Sequence, residues 1–255
     1  MVCIGRVQNE GLAVSTVACG GVHPRLDVSD VGGACPGRIR AEPRPAQVML
    51  YLHAGLKDTD FVEPLLCALK RVLVAPVEAQ RLDLPLGPEL LATPNQLDVG
   101  KVADKFLRAT TTAKQSGTFN YLLIPNDMKD GTYRYVFAMS FGNASTPYHF
   151  GVVSMARLEP DDPRLSRWQR AEAAAFRAYK LIIKSIARVA GFPDLRRCVL
   201  DFPRSLDELD LKSAEFCPPD RSALVNARIL KAEESVAGCA YVAERGYLGD
   251  VQKAL

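Results

Sequence analysis

The sequence predicts an α/β domain, on three observations. Short apolar runs of strand length alternate with segments of helical spacing over the first two thirds of the chain. A long stretch from Ser166 to Ala190 carries an amphipathic helical period with a start and a stop signal. The composition, 48% hydrophobic and 24% charged over 255 residues, is that of a globular chain with a sizeable core.

Residues 1–46 are rich in Gly, Val, Arg and Pro, end in Pro43-Arg44-Pro45 and keep no period, so a loosely structured extension is expected there. From Gln47 the texture changes. Val48 to His53 has the length of a strand, and Phe61, Leu65, Leu66, Leu69 and Val72 then recur at helical spacing. Val72 to Val77 reads as a buried strand, Leu82 to Pro94 as a loop, and Val99 to Lys114 as a second helix. Phe119 to Ile124 is a strand stopped by Pro125-Asn126-Asp127, and Tyr133 to Met139 and Phe150 to Leu158 are two more around the turn pair Gly142-Asn143. Asp127 and Asp130 sit among turn formers and share only composition with a calcium loop. No internal repeat is visible.

In the long helical stretch Trp168, Ala175, Tyr179, Ile182, Ile186 and Val189 form the apolar stripe. Ser166 and Gln169 have capping-box spacing, and Gly191 followed by Pro193 is a stop. One continuous helix is expected, with Ile182, Ile186 and Val189 buried, Lys184 and Arg188 facing a cleft, and Gly191 at positive φ. The domain so delimited runs over 47–230, with a helical tail over 231–255.

Composition also excludes classes. No apolar run of about 18 residues is present, so no membrane span is expected. The opening residues lack the apolar core of a secretory signal, while a mitochondrial presequence stays open. Seven cysteines, Cys3, Cys19, Cys35, Cys67, Cys198, Cys217 and Cys239, are scattered without a dense framework. They suggest a reducing intracellular compartment, cytoplasmic or mitochondrial. The net charge of +3 is mild for a nucleic-acid binder, but nine Lys or Arg against four Asp or Glu fall between Asp161 and Leu200.

Two stretches resemble a known family. The run from Phe202 through Ser205-Leu206-Asp207-Glu208-Leu209-Asp210-Leu211-Lys212 to Phe216-Cys217-Pro218 is similar to the archaemetzincin segment that follows the zinc-binding helix. Tyr135-Val136-Phe137-Ala138 and Gly151 to Leu158 resemble the two strands before that helix. The resemblance implies a metzincin-like twisted mixed sheet packed on a long former active-site helix, with a smaller helical C-terminal part. It also implies a motif, His-Glu-x-x-His-x-x-Gly-x-x-His, in which three histidines hold zinc and the glutamate is the general base. Anchored on Gly191, those positions are Lys184, Ser185, Arg188 and Asp194 here, with no histidine and no glutamate among them. A metallopeptidase site is therefore expected to be lost, with no zinc at this helix and no catalytic residue. The family's second zinc uses four cysteines. Here the first ligand position is about Leu195, Cys198 and Cys217 remain, and the fourth is Asp220, leaving a weak residual metal site as one alternative. A pair of free thiols is the favoured reading of the two cysteines, and a disulfide the remaining one. Leu200 stands for the methionine beneath the catalytic metal.

Arg177, Lys180, Lys184 and Arg188 form one basic stripe on the helix, read either as a solvated face or as a cleft face in which Asp194 sits within about 4 Å of Lys184 or Arg188 as an ionic substitute for the metal. His23, His53 and His149 lack partners at ligand spacing, His149 being the nearest to a residual ligand. The function expected is a catalytically inactive archaemetzincin-like protein, without cofactor, serving as a structural or interaction subunit of a larger assembly with protein partners. The alternatives are a zinc metallopeptidase with non-standard ligands such as Asp194, His149 and a cysteine, and an RNA-associated subunit of an organellar complex whose RNA backbone meets the basic stripe.

Overall fold

A computed structural model describes residues 45–110, 114, 117–142, 148–192, 198–233 and 235–239. The expected extension over 1–46 falls almost wholly outside these residues, as does the end of the tail.

The main sheet is made of β1 (Gln47–His53), β2 (Val77–Leu82), β5 (Thr118–Ile124), β7 (Ala138–Phe141) and β8 (His149–Ser154), in the order β2-β1-β5-β8-β7. All neighbours are parallel except β7, which runs antiparallel to β8 at the edge. A small sheet of β3 (Leu91–Thr93), β4 (Gln96–Asp98) and β6 (Met128–Lys129) lies beside it in sequence. β5 is buried at every position, as expected of a central parallel strand covered on both faces. Its alternation separates two cores. Phe119, Tyr121 and Leu123 pack with α1 (Val62–Val72) and α3 (Arg167–Val189), while Leu122 and Ile124 pack with α2 (Val99–Ala109).

Several expected elements shift. The apolar run after Val72 is no strand. The α1 helix ends at Val72, Leu73 and Ala75 are buried in its connection, and the strand is the next segment. β2 is an edge strand with Glu78, Gln80 and Arg81 exposed, which hid it among polar residues. The strand expected over Tyr133–Met139 forms only from Ala138, after an irregular passage that starts at Gly131 with φ +48°. The second helix stops at Ala109, and the tail begins with a single 3-10 turn, Val236–Cys239. No helix among the described residues is long and apolar enough to cross a membrane.

α3 forms as the sequence predicts. Ser166 Oγ accepts from the Gln169 amide at 3.2 Å, and Gln169 Oε1 accepts from the Ser166 amide at 2.8 Å, closing the capping box. At the other end Gly191 takes φ +88°, its amide donates to Arg188 O and the Phe192 amide to Ala187 O, each at 3.0 Å. That pair of bonds is a Schellman stop. Ile182, Ile186 and Val189 are buried. The helix differs from expectation in two respects: from Ala171 on it is buried nearly all round, charged positions included, while Trp168 of the expected apolar stripe is exposed. On one side lie the sheet and α1. On the other the chain returns through a 3-10 turn at Cys198–Leu200, α4 (Leu206–Leu211) and α5 (Pro218–Asn226).

Candidate functional site: the helix face at Lys184 and Ser185

The basic stripe is neither a solvated face nor a cleft wall. Arg177 is 8% exposed, Lys180 8% and Lys184 6%, and each is closed over by residues 201–210. Arg177 forms a two-pronged pair with Asp210, Nε to Oδ1 at 2.6 Å and Nη2 to Oδ2 at 2.5 Å, and its Nη1 donates to Leu158 O at 2.7 Å. Lys180 Nζ donates to Leu209 O at 2.9 Å and Asp210 O at 3.1 Å, the carbonyls at the C-terminal end of α4. Burial pushes its pKa down to about 8, assisted by Arg177 and opposed by Asp210. Lys184 Nζ donates to Asp201 O at 3.2 Å and lies 4.7 Å from the centre of the Phe202 ring. Arg188 alone of the four is exposed. The stripe expectation fails because the chain following the helix folds back and presents carbonyls and a carboxylate to it, which charge patterning along one helix cannot foretell. Asp194 lies outside the described residues, so its expected place between the cations does too.

Ser185 points at the sheet. Its Oγ shares a hydrogen bond with Tyr121 OH at 2.9 Å and a second, short one with Ser140 Oγ. The register explains the meeting: Tyr121 on β5 pairs with Gly151 on β8, and Gly151 with Ser140 on β7. A Cβ at Gly151 would come within 2.9 Å of the Tyr121 ring and 3.0 Å of Met139 O, so only glycine leaves room for the row. Burial raises the Tyr121 hydroxyl well above its ordinary range. Ser185→Ala deprives this buried hydroxyl of that partner and is expected to cost about 1–2 kcal/mol. Chemical denaturation checks it, and Tyr121→Phe on the same background should recover part of the loss.

The other expected site residues separate. Cys198 and Cys217 are joined in a disulfide, and so are Cys67 and Cys239. This corrects both the free-thiol reading and the residual metal site with Asp220, because a disulfide sulfur is no thiolate ligand. Asp220 is buried in the first turn of α5. His53 is structural, with Nε2 at 2.8 Å from Leu84 O and Nδ1 accepting from the Gly55 amide. His149 is 1% exposed at the start of β8, against the Phe119 ring, with neither ring nitrogen hydrogen-bonded. Asp127 takes a two-pronged pair from Arg157 at 2.9 and 2.6 Å and a bond from Gln96, so its loop is anchored by arginine. Among the described residues, no group of three His, Cys, Asp or Glu is placed to hold a metal ion. Sequence reasoning missed the partners of the stripe, Asp201 and Asp210, although Asp210 belongs to the segment that carries the family resemblance and Asp201 immediately precedes it.

A mixed sheet with one antiparallel edge strand, resting on a long central helix that a glycine stops, defines an α/β scaffold. Comparison with solved structures makes this specific. The chain is similar to the archaemetzincin of Archaeoglobus fulgidus, solved with malonate, at 21% identity and a TM-score of 0.51 over 69% of this chain and 99% of that one. It is similar to the archaemetzincin of Methanopyrus kandleri at 21% identity and 0.53, over 72% and 96%. It is also similar to a zinc-dependent peptidase of Methanocorpusculum labreanum at 20% identity and 0.50, over 69% and 99%. No family model matches the chain, and no curated protein matches it. The fold is the archaemetzincin fold; at this identity the likeness speaks of fold alone.

Proposed function

We propose that this is a catalytically inactive archaemetzincin-like protein that serves as a structural or interaction subunit of a larger assembly. One observation carries the reading: the side chains at the positions of the first histidine and the glutamate are already engaged inside the protein. Lys184 holds the Asp201 carbonyl and Ser185 holds Tyr121 and Ser140.

The residues at these positions do not fit a zinc ion. An ammonium or guanidinium offers no lone pair and repels a dication, and a neutral serine hydroxyl is no base for a metal-bound water. Lys184 could turn toward a metal only by abandoning its carbonyl. The second zinc fares no better, since Cys198 and Cys217 are bonded to each other. No catalytic step is therefore assigned here. What Lys184 does instead is mechanical: with Arg177 and Lys180 on the preceding turns of α3, it clamps the returning chain. Leu200, fully buried at the place of the family's methionine, keeps the packing beneath.

A zinc peptidase built on Asp194, His149 and a cysteine has less support. His149 is enclosed beside Phe119, and Cys198 and Cys217 are oxidised to each other. An RNA-binding role through the basic stripe is likewise weakened, because Arg177, Lys180 and Lys184 face protein carbonyls and a carboxylate instead of solvent. Elemental analysis combined with a peptide-cleavage assay tests the reading. No stoichiometric zinc and no chelator-sensitive cleavage are expected, with protein partners recovered on co-purification. Stoichiometric zinc or metal-dependent cleavage overturns it.

A further inference from the structure

We propose that Cys67 and Cys239 form a redox modification site for a dithiol, and that reduction of their bond releases the strap Ser235–Cys239 from α1 while the sheet stays folded. Cys67 stands in the middle of α1 and Cys239 ends the last described turn, 172 residues further on. Both are half-buried, so an attacking thiolate can reach the bond.

The chain leading to the strap is fixed by its backbone. The Val74 amide donates to Ile229 O at 3.0 Å and the Lys231 amide to Val72 O at 2.9 Å, around an antiparallel bridge of Leu73 with Leu230. Lys231 Nζ donates to Lys70 O, and Arg221 to the carbonyls of Lys231 and Ala232. Residues up to Ala232 therefore stay docked whatever happens at the sulfurs. Beyond them the non-covalent holds among the described residues are slight. The Val236 side chain is buried, its amide reaches Glu215 Oε1 at a long 3.4 Å, and Ser235 makes an interaction of its own. Fixing the backbone of five residues costs more than one buried valine, the packing of Cys239, one long hydrogen bond and the Ser235 interaction return, so the covalent bond decides whether the strap lies down.

Cys198–Cys217 differs. It joins residues 19 apart in a segment already anchored by the buried Val199, Leu200, Leu209 and Phe216 and by the Val199 amide on Glu215 O at 3.1 Å. Reducing it leaves that segment in place.

The chemistry is thiol–disulfide exchange. One thiolate of the dithiol attacks a sulfur of the Cys67–Cys239 bond, forming a mixed disulfide. Its second thiol then displaces the remaining cysteine. Two electrons and two hydrogens pass from the dithiol, which closes to a disulfide, and Cys67 and Cys239 end as thiols. The freed thiol of Cys67 then lies on an uncovered stretch of α1. This inference does not rest on the loss of the zinc site. It gives the scaffold a state that its surroundings can set.

The test uses the full-length chain purified without reductant. Peptide mapping should recover Cys67 linked to Cys239. Hydrogen exchange of amides 235–239 should accelerate by about ten-fold or more on adding dithiothreitol, and equally in C67S/C239S without it, while β1 and β5 keep their protection. C198S/C217S should protect the strap as the parent chain does. Three results overturn the proposal. These are alkylation of Cys67 and Cys239 before reduction, strap protection that reduction does not change, or loss of protection throughout the sheet, which makes the bond a staple of the whole fold.

Discussion

Asp210→Ala is expected to lower the unfolding free energy by about 2–3 kcal/mol. Arg177, only 8% exposed, would keep its bond to Leu158 O but lose both bonds to a carboxylate, leaving a guanidinium charge in the protein without its counter-ion. Breaking a buried pair from one side costs about 3–5 kcal/mol, and the Asp210 side chain is 35% exposed, so water recovers part of that. Lys180 would respond as well. The carboxylate of Asp210 opposes the burial that already brings this lysine down to about 8, so its removal moves the lysine further toward the neutral form. The measurement is the urea midpoint at constant m-value. Arg177→Met removes the charge instead of stranding it, and Asp210→Ala on that background should cost clearly less, the difference being the coupling. A single-mutant cost below about 0.5 kcal/mol, typical of a plain surface change, would mean that the clamp does not hold the returning chain.

This pair also shows where sequence reading stops. β1, β5 and α3 are legible because their signals are local: apolar runs, a helical period, a capping box and a glycine stop all lie within the element they define. β2 is not, since an edge strand can be polar, and the apolar Leu73 and Ala75 beside it belong to a helix connection. The family resemblance pointed to the archaemetzincin fold, so the order of the parts was readable. What these parts do to each other was not. A stripe of Arg177, Lys180 and Lys184 looks the same in sequence whether water, an RNA backbone or the chain's own carbonyls stand opposite. Only the return of residues 201–210 decides among them. The Ser185–Tyr121–Ser140 row depends on the pairing of three strands with a glycine gap at Gly151, and the disulfide between Cys67 and Cys239 spans 172 residues; no spacing rule reaches so far.

Stability is expected to fall by up to about 3 kcal/mol as the pH drops from about 6.5 to about 4, through His149. Burial pushes the pKa of this imidazole down to about 4 from an ordinary 6.5. It is 1% exposed, packed 4.6 Å from the Phe119 ring centre, and neither nitrogen has a hydrogen-bond partner to stabilise the charged form. A Cβ at Gly142 would come within 2.6 Å of Nδ1, so the ring also has no room on that side. The sign follows from proton counting. Between the two values the unfolded chain holds a proton on His149 and the folded chain does not, so stability is complete above about 6.5 and is lost progressively toward 4. Below 4 both states are protonated and this contribution stops changing. Carboxylates whose values are lowered by folding, Asp58 and Asp162 among them, act below that window, because their unfolded values lie near 3.8. His149→Met, an apolar side chain of similar volume, should therefore flatten the stability curve between pH 6.5 and 4.5 while leaving the steeper acid limb in place. A variant whose curve keeps the slope of the parent chain through that window would assign the loss to another group and leave His149 without a part in acid stability.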